Sequence, residues 1–125
     1  MRQVVLDTNF LLLPLQFKIN IFGQIEGLLE IPHGMVVPSG VVGELKAISH
    51  GKGKDGAAAR FALGLIGKGK ARVVPSTGNV DDWIVEYAVK EGAIVATNDM
   101  LLRNRLKKGG VKVIAMRSRA RLAVV

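Results

Sequence analysis

Cysteine is absent from the 125-residue chain, and its absence removes disulfides, thiolate zinc sites, iron–sulfur clusters and cysteine nucleophiles together. Aromatic residues are scarce. Phe10, Phe17, Phe22, Phe61, Trp83 and Tyr87 make up 5% of the chain, and with these read as core no base-stacking platform remains. No apolar run approaches the roughly 18–20 residues that a membrane span needs; Phe10–Leu15 is among the longest. Asp7 interrupts the N-terminal segment before a signal-type apolar block forms, so the expectation is a cytoplasmic protein with no membrane partner. What the chain does have is a 49% hydrophobic fraction against 22% charged residues. That balance excludes disorder as the main state and suits one domain over residues 1–125 with a core of its own.

Acidic residues are missing from one region only. Residues 1–100 hold ten Lys or Arg and ten Asp or Glu, whereas residues 101–125 hold Arg103, Arg105, Lys107, Lys108, Lys112, Arg117, Arg119 and Arg121 and no acid. The whole net charge of +8 therefore sits in the last fifth of the chain. Such an imbalance suits a polyanionic partner, nucleic acid before an anionic membrane surface.

Short runs rich in Val and Ile alternate with segments of helical period. Strands are expected at Gln3–Leu6, Met35–Pro38, Ala71–Val74, Ala93–Ala96 and Lys112–Ala115. Helices are expected near Phe17–Leu29, from a Ser39 cap to Ile48, from an Asp55 cap to Ile66, over Asp81–Glu91 and over Met100–Lys108. Ser49–Lys54 reads as a mobile loop. Strands separated by helices require a largely parallel sheet covered on both faces, a three-layer α/β/α fold with five strands. With strand order 3-2-1-4-5, ligands collect at the carboxyl ends of strands 1 and 4, where the order reverses. Asp7-Thr8-Asn9 follows the first strand and Thr97-Asn98-Asp99 the fourth, so Asp7 and Asp99 converge. Taken singly, an Asp after a strand is most often a helix cap or turn former.

Two more acids belong to the same sheet edge. Glu44 stands among Val41, Val42, Leu45 and Ile48, facing either water or a cleft. Asp81 shares a helical face with Ile84, Val85 and Ala88, which should look inward, while Asp82 suits a solvent-facing cap beside the positive end of the helix and is the second-choice ligand. Four carboxylates at one edge repel one another unless a cation lies among them, and oxygen-only ligation suits Mg²⁺ or Mn²⁺. The basic segment then supplies the grip on phosphate, with Arg103, Arg105, Lys107 and Lys108 on the helix behind Asp99.

The segments VVLDTNFLL, VPSGVVGELK, NVDDWIVEYA and IVATNDMLLRNRL resemble, in order and spacing, the four acidic motifs of PIN-domain ribonucleases. DTNF followed much later by ATND with a basic helix behind it is most similar to the ribosomal-RNA-processing branch; VapC toxins share the fold and the acids. The resemblance implies a metal-dependent endoribonuclease that leaves a 5′-phosphate and a 3′-hydroxyl. It implies metal-binding catalytic roles for Asp7, Glu44, Asp81 and Asp99, with Asn9, Thr97 and Asn98 as supporting polar groups. RNA, including ribosomal RNA or its precursor, is the implied substrate, and an antitoxin is a partner only if the chain is a toxin. Leu101 departs from the pattern, standing where many relatives carry a further acid. The basic N-terminal and zinc-type elements usual in the processing branch are also missing from this chain.

Other constellations carry less. His33 sits by Pro32 and His50 in the Gly/Lys loop, a poor basis for a histidine acid/base pair. The glycines of 51–56 lack a feeding strand and the GxxxxGK[ST] pattern of a phosphate loop. A non-catalytic RNA-binding scaffold is the rival that Leu101 favours. A phospho-acceptor receiver needs an acid pair at its first strand, where only Asp7 stands. The Leu122–Val125 tail, read as exposed, would suit a homodimer.

Overall fold

Successive residues of the first strand serve opposite faces of a sheet, as the two-residue period of a strand demands. Val4 and Leu6 join one buried cluster and Val5 the other. The computed structural model describes residues 1–125. In chain order it contains β1 (Arg2–Leu6), α1 (Thr8–Gln16), α2 (Ile21–Leu29), β2 (His33–Pro38), α3 (Ser39–Ser49), α4 (Lys54–Gly67), β3 (Arg72–Val74), α5 (Val80–Glu91), β4 (Ile94–Ala96), α6 (Met100–Lys108), β5 (Val113–Ser118) and β6 (Arg121–Val124). The sheet order is β3-β2-β1-β4-β5-β6. Every pairing is parallel except β5 with β6. Residues of α1, α2, α3 and α4 fill the larger cluster with Val4, Leu6, Val37, Ile94, Ala96 and Ile114. Ile84, Ala88, Leu102 and Leu106 of α5 and α6 fill the other with Val5, Val95 and Val113. The three layers and the order of the first five strands are those expected.

The sheet has six strands, not five. Arg121–Val124 returns antiparallel to β5, pairing Met116 with Leu122 and Ile114 with Val124, and Leu122 is buried in the larger cluster. The tail is therefore part of the sheet, because burying Leu122 against β5 and α2 removes apolar surface that a free tail would leave in water. The helix expected over Phe17–Leu29 begins only at Ile21, as α2, and a helix that was not expected, α1, precedes it. Asp7 caps α1, its Oδ1 accepting from Phe10 N at 2.8 Å. The chain then breaks at Lys18, where φ is 53°, and restarts where Asn20 Oδ1 accepts from Gly23 N at 3.1 Å.

Local signals differ at three further places. Pro38 is the capping residue of α3, and Ser39 is its first helical residue. Gly53 precedes α4 with φ 89°, and Asp55 lies in the first turn accepting from Gln16 Nε2 at 2.9 Å. The loop after α3 is tied down by Arg60 Nη1, which donates to Ser49 O at 2.8 Å and Gly51 O at 3.2 Å. Gly56 backs onto that loop so closely that a Cβ would stand 2.1 Å from Gly51 O, so only glycine fits. Of the aromatics, Phe10 is fully buried, while Phe17 and Phe61 are exposed. Trp83 and Tyr87 stack at 4.6 Å against the smaller cluster.

Candidate active site

The acidic site begins with two strand ends. Register pairs Leu6 of β1 with Ala96 of β4, so the residues that follow, Asp7 and Thr97, leave the sheet side by side. Thr97, fully buried, donates its hydroxyl to Asp7 Oδ2 and accepts from Asp99 N at 3.1 Å. One hydroxyl thus holds both acids in register. Asp99 also caps α6, its Oδ1 accepting from Leu102 N at 3.0 Å. Both strand-end acids are helix caps as well as members of the cleft, and the two readings of each are satisfied by different oxygen lone pairs.

The other two acids arrive on α3 and α5, which a polar clasp draws together. Ser76 N donates to Ser39 Oγ at 2.8 Å, and Gly40 N donates to Ser76 Oγ at 2.8 Å. A Cβ on Gly40 would stand 2.9 Å from Val80 Cγ2, so the missing side chain lets the first turn of α3 approach the start of α5. Glu44 and Asp81 consequently face the same space. Asp7, Thr8, Asn9, Glu44, Ile48, Val80, Asp81 and Asp99 line a cleft of about 320 Å³. A larger concavity of about 660 Å³ lies elsewhere among Glu26, Glu30, His33 and Lys70, but its charges are of mixed sign and it gathers no comparable set of acids. Chemistry, not size, singles out the acidic cleft.

Electrostatics mark the same group. Burial pushes the Asp7 carboxyl up to about 6. Hydrogen bonds from Thr97 and Phe10 pull it down, and the negative charges of Asp81 and Asp99 push it further up. Asp81 is also raised, first by partial burial, then by Asp99 and Glu44. Removing carboxylates from water while placing them near one another disfavours the charged forms on both counts. A divalent cation reverses both effects.

The donor set fits a hard cation. It is all oxygen; Glu44 Oε1 is held by the Thr8 hydroxyl, and Asp7 and Asp99 are oriented as described. Hydrogen bonds fix Glu44 through Oε1 and Asp99 through Oδ1 and leave the second oxygen of each unbonded, and such oriented carboxylates suit Mg²⁺ and Mn²⁺. As the side chains stand, no three acids close around one point; they flank the cleft.

The remaining expected residues divide. Asn9 lines the cleft, exposed. Asn98 does not; its Oδ1 accepts from Met116 N at 2.7 Å, fastening the loop to β5. Asp82 turns away to pair with Arg105 at 2.8 Å on the surface. Asp81 is at the cleft but exposed, rather than looking inward with Ile84 and Ala88. Arg103 follows one turn after Asp99 and is half-buried, while Arg105, Lys107 and Lys108 lie in the last turn of α6. His33 begins β2 and His50 ends α3, and neither lines the cleft. Thr8 was not among the expected site residues. The signal was present in the polar triplet after the first strand, but its partner Glu44 is 36 residues away.

The chain belongs to the PIN-like domain family, matching it over residues 4–119. It is 35% identical over 124 residues to Ribonuclease VapC4 of Methanocaldococcus jannaschii, across 95% of this chain and 93% of that protein. It is 33% identical over 114 residues to Ribonuclease VapC9 of Archaeoglobus fulgidus, across 90% and 81%. Among solved structures, the PIN domain endonuclease Utp24 superposes with a TM-score of 0.80 at 27% identity, covering 98% of this chain and 90% of that one. A domain of a functionally unknown protein from Methanocaldococcus jannaschii shares the fold, with a TM-score of 0.66 at 18% identity over 94% and 93%.

Proposed function

We propose that the chain is a divalent-metal-dependent endoribonuclease whose cut is made in the cleft of Asp7, Glu44, Asp81 and Asp99. The observation that carries this reading is the gathering of four carboxylates, two of them with raised pKa, in one oxygen-only cleft. Relatives named as ribonucleases over nearly the whole chain supply the substrate class. These four residues would hold Mg²⁺ or Mn²⁺, which when bound polarises a phosphate oxygen and lowers the pKa of water. In the reaction, water oxygen bonds to phosphorus and the P–O3′ bond breaks. The 3′ oxygen takes up a proton and leaves as the hydroxyl end of the upstream fragment, and the downstream fragment keeps the phosphate on its 5′ oxygen.

The chain's own residues prepare this step. Thr97 and the Phe10 amide hold Asp7, Thr8 holds Glu44, and the Leu102 amide holds Asp99. Asp81 has no hydrogen-bond partner, so both its oxygens are available to water or an ion. Asn9 offers a neutral polar group at the rim. Arg103, Arg105, Lys107 and Lys108 contribute positive charge along α6 for the RNA backbone. Asp82, already paired with Arg105, is a spectator to the cation.

Two biological settings fit. The resemblance of the DTNF and ATND motifs to the ribosomal-RNA-processing branch favours ribosomal RNA or its precursor as substrate, and the VapC relatives favour a toxin ribonuclease, with an antitoxin as further partner. Incubation of end-labelled structured RNA with Mg²⁺ or Mn²⁺ tests the common activity. Internal cuts that disappear with EDTA and with Asp7→Asn are expected; binding without cleavage at any metal concentration would leave a non-catalytic scaffold.

A further inference from the structure

The strand register puts a second basic element at the acidic edge of the molecule. β5 runs parallel to β4, and Thr97 N donates to Ile114 O at 2.9 Å, so Ile114 is level with the end of β4. The four residues Ala115–Ser118 continue β5 past that level, a rise of about 13 Å at the spacing of an extended strand. The hairpin of β5 and β6 therefore projects from the same sheet edge as Asp7 and Asp99. Asn98, next to Asp99, fastens its base through Met116 N.

Everything exposed and charged on this hairpin is positive. Arg117, Arg119 and Arg121 are exposed, no acid occurs after Asp99, and the one ion pair in the structure, Arg105–Asp82, uses none of them. The backbone beneath them is held. Gln24 of α2 donates from Nε2 to Ala120 O at 2.7 Å and accepts Leu122 N at Oε1 at 2.8 Å. The Arg119 guanidinium lies 5.7 Å from the centre of the Phe17 ring, a contact that restrains the side chain while leaving its N–H donors free. A register shift between Met116 and Ser118 adds twist to the hairpin. Three unpaired guanidinium groups on a clamped hairpin are preorganised for phosphate oxygens.

By contrast, the basic residues at the end of α6 are less well placed. That helix starts at Asp99 and returns toward the opposite edge, where β5 begins parallel to β4, so Lys107 and Lys108 lie about 12 Å back from the acids rather than beyond them. Arg105 is already paired.

We infer that the β5–β6 hairpin is an RNA-backbone-binding arm, in which Arg117, Arg119 and Arg121 hold phosphates of the strand whose neighbouring phosphodiester enters the acidic cleft. The inference rests on the ribonuclease reading for the identity of the polyanion. Recognition is by backbone charge, so affinity should be nearly independent of base sequence.

The test is equilibrium binding of a labelled single-stranded RNA in EDTA, from about 50 to 200 mM salt, by fluorescence anisotropy. The expected result for R117A/R119A/R121A is a salt slope shallower by about 2, at roughly 0.7 per lost phosphate contact, and affinity lower by about tenfold or more. The corresponding R117K/R119K/R121K protein should stay within about threefold of the parent, which separates lost charge from a disturbed hairpin. K107A/K108A should change the slope less than the arginine variant does. An unchanged slope in the arginine-to-alanine protein would overturn the arm. So would unchanged binding accompanied by self-association, since the arginines would then serve only to keep the β6 edge from pairing with another sheet. If the parent protein binds with the expected slope but cuts in no metal, the nuclease reading fails and the arm stands. If it cuts and the arginine variant binds as tightly, the arm fails and the nuclease reading stands.

Discussion

The acidic cleft and the basic hairpin occupy the same edge of the sheet but meet water on opposite terms. In the cleft, Asp7 is buried among apolar strand ends, and its carboxyl is raised to about 6 chiefly by that burial. On the hairpin, Arg117, Arg119 and Arg121 are exposed and unpaired. Desolvated like charges raise the energy of the empty site and thereby favour an ion that neutralises them, whereas solvated charges cost little and act through counterion release. On the proposed reading the difference is a division of labour, in which the cleft supplies chemistry and the hairpin supplies affinity.

The sharpest way to break this comparison is to remove charge from the cleft alone. Asp7→Asn should lower RNA cleavage by at least about 10³-fold, on the order of the losses seen when one charge-stabilising group is removed from an active site, while RNA affinity in EDTA stays the same or rises. Loss of affinity in parallel with activity, read by anisotropy, would mean that the cleft itself holds the RNA. The same variant should be more stable than the parent in chelator at pH 7, because an amide can still accept from Phe10 N without carrying a buried charge.

The next effect is on stability against pH. Asp7 keeps its proton to about pH 6 in the folded protein, whereas its ordinary value is 3.8. Between these values the folded state binds more protons than the unfolded one, so stability falls as pH rises through the window, by about 3 kcal/mol in total. Denaturant titrations in EDTA from pH 4 to 7 should show the decline. Added Mg²⁺ should reverse it at pH 7, and Asp7→Asn should abolish most of it.

Smaller effects test how the cleft is assembled. Gly40→Ala should cost about 1–2 kcal/mol of stability by forcing α3 away from Val80, and cleavage should fall because Glu44 and Asp81 move apart; thermal melts beside activity assays would separate the two. Asp82→Asn should be the mildest, changing stability by less than about 1 kcal/mol through its surface pair with Arg105. Its Mg²⁺ dependence should be unchanged, and a weakened metal response would bring Asp82 into the ligand set.

Much of this was legible in the residues themselves. The Val/Ile runs between helical segments gave a parallel sheet, and the polar triplets at Asp7–Asn9 and Thr97–Asp99 fall where its strand order reverses. The choice of Asp81 over Asp82 as the cleft acid also followed from helical spacing, although exposure at the rim did not, because α5 begins at the mouth of the cleft. What escaped has physical causes. In α1 the cap Asp7 was also a site residue, and Pro14 interrupts an apolar segment, so FLLLPL carried no clear helical period. In β6 the alternation of Leu122 and Val124 is nearly hidden by arginines, and its pairing is fixed by β5 and by Gln24, 98 residues from Leu122. The clasp of Ser39 and Ser76 likewise depends on contacts between distant segments that local pattern does not carry.

The most direct test of the account is the chemistry of the cut ends. RNA treated with the protein and Mg²⁺ or Mn²⁺ should yield fragments bearing a 5′-phosphate and a 3′-hydroxyl, with none formed in EDTA or by Asp7→Asn. Fragments ending in a 2′,3′-cyclic phosphate and persisting in EDTA would contradict it, since the RNA's own 2′-hydroxyl, rather than water in the acidic cleft, would then be the nucleophile.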